Sequence, residues 1–172
     1  DLYRFCVLKW RNVLESGKKG LALFEGSAQL SLDAKGRLAI PARPREHLVA
    51  ASDGRLVLTA NPQGGCLLLY PQPDWLPIRE RLLKAPSFDA RSASLKRTML
   101  GNARSEELDS AGRLLIAAEL RDYARLEKTV WLVGMGSHFE IWSDEGWKRQ
   151  QELAAEAFSG DVPPPGFEDF AL

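Results

Sequence analysis

Cysteine, histidine and methionine each occur only twice in this 172-residue chain. Cys6 and Cys66 are too few for a disulfide framework or a cysteine metal cage, so a reducing compartment is expected. His47 and His138 stand far apart, and no HxxxH, CxxC or HExxH spacing occurs, so neither a metal site nor a cofactor is expected. GxSxG is missing, as is GxxxxGK followed by Ser or Thr. Gly134-Met135-Gly136 follows a strand-like run but lacks a third glycine and leads into another apolar run. It reads as a hairpin turn rather than a dinucleotide loop. His138 opens that second run as a structural or exposed residue, no catalytic residue stands out, and the chain is not expected to be an enzyme. No apolar run approaches the length that spans a bilayer, so no membrane partner is expected.

Acidic and basic residues balance at 23 each, but they are not evenly spread. Residues 79–104 hold seven basic side chains against Glu80 and Asp89, whereas residues 140–172 are rich in Asp and Glu. A neutral total therefore leaves room for a polyanion partner, which needs only a local basic surface. With 45% hydrophobic and 27% charged residues the chain has the composition of a folded globular protein.

What the chain does have is a sequence written twice. LSLDAKGRLAIPARPRE from Leu30 and LDSAGRLLIAAELR from Leu108 place Asp33, Gly36, Arg37, Leu38, Ile40 and Arg45 over Asp109, Gly112, Arg113, Leu114, Ile116 and Arg121. Each copy continues as a β-rich run, a Gly-containing turn, a short apolar run ending in an aromatic, and an acidic helix start with Trp. Two copies are too few for a solenoid; they suit a pseudo-two-fold domain in which each half covers the other's apolar face. Residues 27–32 alternate as a half-buried strand, 33–36 have turn chemistry, and 37–40 return as a strand to make a hairpin. A short helix over 43–51 accepts Pro44 in its first turn, and strands follow at 55–59 and 66–70. Asp74 is the expected N-cap of a helix to about residue 84, and a second helix spans roughly 88–102. In the second copy strands are expected at 105–108, 113–116, 129–133 and 138–142, with a helix over 119–125. Ser143 caps a last helix over about 144–158. The expected divisions are an extension over 1–22, disordered or not native; a first repeat, 23–72; a helical linker pair, 73–103; a second repeat, 104–147; and a C-terminal helix with a flexible acidic tail, 148–172.

The doubled Asp-x-x-Gly-Arg turn is the one candidate for function. In one reading it is hairpin punctuation, with Arg paired to Asp on the surface. In the other, each tight hairpin holds an arginine on a ribbon narrow enough for the DNA major groove, where a guanidinium grips guanine O6 and N7. Lys35, Arg43 and Arg45 would then supply phosphate contacts. Ala111 replaces Lys35 and Glu119 replaces Arg43 in the second copy, so the first copy should carry more of the affinity.

At LFEG, LSLDAKGRLAIPAR, CLLLYPQPDW, TMLGNARSEELDSAGRLLIAAELR and FEIWSDEGW the chain resembles the MraZ family, bacterial regulators built of two tandem SpoVT-AbrB domains. The resemblance covers residues 23 to about 153, and Leu23 stands where the family's first Met falls. It implies an α+β fold of two pseudo-symmetric AbrB-like swapped-hairpin halves, forming a small β-barrel core with outer helices. It further implies a cytoplasmic, nucleoid-associated repressor of the division and cell-wall gene cluster. Its partners would be double-stranded promoter DNA, read at G-rich direct repeats that include its own promoter, and itself as a ring-shaped homo-oligomer. The family's DNA-reading motif falls on Asp33, Lys35, Gly36 and Arg37, and on Asp109, Gly112 and Arg113, with Arg43, Arg45 and Arg121 beside it. The alternative is an AbrB-fold protein-interaction module such as an antitoxin, acting through the acidic tail.

Overall fold

Alternation along the strands decides which side chains go to which layer, because successive residues of a strand face opposite sides of a sheet. The computed structural model describes residues 24–157. Within them, β1 (Ser27–Ser31), β3 (Arg55–Ala60), β4 (Cys66–Pro71), β5 (Arg104–Glu107), β7 (Thr129–Gly134) and β8 (Phe139–Ser143) form one sheet. Its order is β1-β7-β8-β4-β3-β5, with every pairing antiparallel. Two three-residue strands, β2 (Arg37–Ala39) and β6 (Arg113–Leu115), make a separate antiparallel ribbon.

One face of the large sheet carries Leu56, Leu58, Leu67, Leu69, Val130, Leu132, Phe139 and Ile141. It packs on Leu38 and Leu114 from the ribbon, on Leu48 of α1 (Ala42–Ser52) and on Leu120 of α4 (Ala118–Tyr123). The opposite face carries Val57, Leu68, Tyr70, Val133 and Trp142. That side is covered by Trp75 and Leu82 of α2 (Gln72–Lys84) and Met99 of α3 (Ala90–Met99). The central strands β3 and β4 are buried on both faces, which is why they read as continuous apolar runs. On the margin of that second layer, α5 (Asp144–Ala157) is held at its start. Ser143 Oγ accepts from Gly146 N at 3.1 Å, and Trp131 Nε1 donates to Asp144 Oδ1 at 2.9 Å.

Several expectations need correction. The first copy does not close on itself as a hairpin ladder. Leu32 and Leu38 make one bridge across the turn, and then β1 pairs with β7 and β2 with β6, both strands of the second copy. The sheet is also not a closed barrel: β1 and β5 end it as edges, and the three-residue ribbon is too short to carry a ladder between them. α2 starts at Gln72 rather than after Asp74, because Pro73 fits the first turn, where an N–H has no partner; Asp74 is a first-turn acid. α3 starts at Ala90, where Asp89 accepts from Ser92 N at 2.7 Å and leaves Phe88 outside the helix. The expectations for residues 1–22 and for the tail beyond residue 157 lie outside the described residues.

His138 sits just before β8, with its ring stacked on Tyr70 at 4.7 Å between centroids. Ser137 Oγ lies 3.1 Å from its Nδ1. Burial holds its pKa down, from 6.5 to about 4. A folded-state value below the unfolded one means the unfolded chain binds more protons between those limits. This contribution to stability is therefore intact above pH 6.5 and declines as pH falls toward 4. Replacing His138 by Phe should make the melting temperature fall less between pH 7 and pH 4 than in the parent; parallel curves would refute the assignment.

Candidate nucleic-acid interface

Both Asp-x-x-Gly-Arg segments fold into the same turn. Asp33 Oδ1 accepts from Lys35 N and Arg37 N, each at 2.9 Å, and Asp33 O accepts from Gly36 N at 2.9 Å. Asp109 Oδ1 accepts from Ala111 N and Arg113 N, each at 2.9 Å, and Asp109 O accepts from Gly112 N at 2.8 Å. Gly36 and Gly112 have φ of 76° and 71°, which a residue with a Cβ adopts at a cost. Aspartate and glycine are thus turn-formers here.

The arginine has a place in the turn too. Arg37 Nε donates to Asp33 Oδ2 at 2.7 Å and Nη2 stands 2.7 Å from the same oxygen; Arg113 Nε donates to Asp109 Oδ2 at 2.7 Å. The doubling of Arg therefore has a structural reason beside any functional one. The Arg37 guanidinium first, and then the Arg37 backbone N–H, hold the Asp33 carboxyl down at about 2. Asp109 is lowered as well, first by the backbone N–H of Arg113.

Arg37 and Arg113 share the outer face of the β2–β6 ribbon. The register sets Arg37 opposite Leu115 and Ala39 opposite Arg113, while Leu38 and Leu114 point into the core from the other face. The two arginines are diagonal neighbours, roughly 7–8 Å apart at that register. Their side chains keep 29% and 35% of their surface exposed. Asp33 engages both Nε and Nη2 of Arg37, and the Arg37 side chain stays partly exposed. A guanidinium gripped along one edge is restrained in orientation, as bidentate recognition requires.

The other sequence candidates are placed differently. Lys35 is exposed at the tip of the first turn, as is Ala111 at the second. Arg43 lines a pocket with Phe24, Glu25, Gly26, Pro44, His47 and Phe139, near the end of β1 remote from Asp33. Arg45 and Arg121 lie against Gly112 and Gly36, the turns of the opposite copies. Glu119, in the place of Arg43, is 2.5 Å from Arg104 in an exposed pair that adds little stability. Sequence reasoning missed Ala39 and Leu115, both exposed on the arginine face, although alternation with Leu38 and Leu114 could have found them. It also missed Lys128, which borders a groove with Leu32, Asp33, Ala34 and Arg121. Lys128 arrives there because Leu32 N donates to its carbonyl at 2.9 Å, a pairing between copies that no local motif announces.

Elsewhere, burial pushes the Cys66 thiol up to about 12, so it is no nucleophile at neutral pH. Among the described residues no three His, Cys, Asp or Glu side chains gather as a metal-holding group, and no helix is long and apolar enough to cross a membrane.

A family model described as "MraZ protein, putative antitoxin-like" matches residues 23–98 and again residues 99–162. The chain belongs to the MraZ family. The two MraZ matches meet at the end of α3. The chain is 68% identical over 150 residues to a protein of Dechloromonas aromatica named "Transcriptional regulator MraZ", covering 87% of this chain and all of the relative. Proteins of the same name from Aromatoleum aromaticum and Azoarcus sp. are 57% and 52% identical, again over 87% of this chain and all of each relative.

A depressed carboxyl pKa stabilises the fold above the unfolded value and loses that effect as pH falls through the folded one. For Asp33 this window runs from 3.8 down to about 2. Carbon NMR should therefore find the Asp33 carboxyl titrating near 2, and Arg37→Ala should move it back toward 3.8. An unmoved midpoint would mean the guanidinium does not hold it.

Proposed function

We propose that this chain is a sequence-specific DNA-binding transcriptional regulator, a repressor of the bacterial division and cell-wall gene cluster. It binds G-rich direct repeats, including those in its own promoter, as a homo-oligomeric ring, in the cytoplasm at the nucleoid. The observation that carries this reading is the pair of half-exposed arginines on one ribbon face, Arg37 clamped by Asp33 and Arg113 by Asp109. A two-stranded ribbon fits the major groove, and an arginine presented end-on from it meets guanine O6 and N7. Lys35 adds a phosphate contact at the tip of the first turn. The relatives' name supports the regulatory part of the reading.

The pairing of β1 with β7 and of β5 with β3 supports two AbrB-like swapped-hairpin halves, with repeats over 23–72 and 104–147 and helices between them. A ring answers a difficulty of magnitude. Each arginine–guanine pair discriminates by about 1–3 kcal/mol, so one subunit selects its site weakly. Adjacent subunits on successive repeats make later contacts intramolecular, and a head-to-tail assembly reads direct repeats rather than palindromes.

The wording "antitoxin-like" in the matching family model favours a second reading, a protein-interaction module that neutralises a toxin. Recovery of a stoichiometric small protein in a pull-down, with no DNA shift, would support it over the regulator. For the regulator, a gel-shift titration should show a complex with G-rich direct-repeat DNA and none with scrambled DNA. Arg37→Ala should abolish the specific complex while circular dichroism stays unchanged; unaltered affinity would remove the site. Lys35→Ala should weaken binding to every sequence and reduce the salt slope by about one.

A further inference from the structure

Each turn glycine is covered by an arginine from the other copy. A Cβ added at Gly36 would stand 2.9 Å from Arg121 Nε, 3.0 Å from its Cζ and 3.0 Å from the Ile116 carbonyl oxygen. At Gly112 a Cβ would stand 2.6 Å from Arg45 Cδ and closer still to Nη1. Both glycines are therefore demanded twice, by their positive φ and by the side chain lying over them. The contacts continue into the backbone. Arg121 Nε donates to Ile116 O at 3.1 Å, and Ile116 N donates to Gly36 O at 2.9 Å. In the mirrored half, Ile40 N donates to Gly112 O at 3.1 Å.

The two arginines leave from equivalent helices, α1 and α4, and each crosses to the opposite turn. They are half-buried, unlike the exposed Lys35 and Arg43. A phosphate ligand needs a charged head free to reach out; a planar guanidinium laid on backbone is committed to packing. We propose that Arg45 and Arg121 are positioning residues that lock each Asp-x-x-Gly-Arg turn from the opposite repeat, setting the spacing of Arg37 and Arg113, and are not phosphate ligands. The consequence for DNA rests on the regulator reading above; the lock itself does not.

A crossed set of substitutions in the full chain tests the lock without DNA. Gly112→Ala should lower the melting temperature by about 5 °C. In an Arg45→Ala background the same change should cost at most half as much, and in an Arg121→Ala background just as much as in the parent. Gly36→Ala should couple to Arg121→Ala in the same selective way. Equal losses in every background would mean that φ alone accounts for the glycines, and the proposal falls. Should the glycine variants not fold, hydrogen exchange on the single arginine variants decides. Arg45→Ala should speed exchange at residues 109–113 and not at 33–37, Arg121→Ala the reverse, and any other pattern overturns the lock. With G-rich direct-repeat duplex as probe, Arg45→Ala should cost about tenfold in affinity at an unchanged salt slope. A slope lower by about one, without altered exchange, would make Arg45 a phosphate ligand after all. If the unsubstituted chain fails to bind that duplex, the regulator reading fails, while melting and exchange still judge the lock.

Discussion

The structure depends on the pairing of β2 with β6, three residues from each copy. A ribbon so short has no stability of its own. It persists because Leu38 and Leu114, both fully buried, press its inner face onto the main core. Truncating a buried leucine typically costs about 2–5 kcal/mol, more than a few ladder hydrogen bonds return. Hydrophobic burial beneath the ribbon thus holds Arg37 and Arg113 in register on top of it, and links the core to the candidate interface.

The two copies keep what the turn requires and differ where it requires nothing. Asp, Gly and Arg recur with hydrogen bonds equal to within 0.1 Å, because each fills a geometric need. Lys35 and Ala111 occupy equivalent exposed tips, and Ala39 and Leu115 equivalent exposed ribbon positions, with no shared partner to restrain them. The halves therefore present the same arginine geometry with different neighbours. Arg37 stands opposite a leucine and beside a lysine-tipped turn; Arg113 stands opposite an alanine and beside an alanine-tipped one.

Neither copy pairs all of its own strands. β1 needs β7, β5 needs β3, and β2 needs β6, so each copy's outlying strands are completed by the other. The turn-to-helix contacts obey the same logic, with Arg45 on Gly112 and Arg121 on Gly36.

The sequence by itself determined the repeat, the turn and most elements, since these rest on short-range chemistry: strand alternation, asparagine-free Asp–Gly turns, and proline at helix starts. The apolar runs of β3 and β4, the Ser143 cap of α5 and the aspartate-to-backbone bonds of both turns follow from residues within a few positions of one another. Only the tertiary structure decided which strand pairs with which, because a ladder edge carries the same N–H and C=O groups whatever its partner. It put Lys128 beside the first turn, sent Arg43 to the far end of β1, and laid Arg45 and Arg121 over glycines 67 and 85 residues away, contacts set by packing between copies rather than by any spacing along the chain.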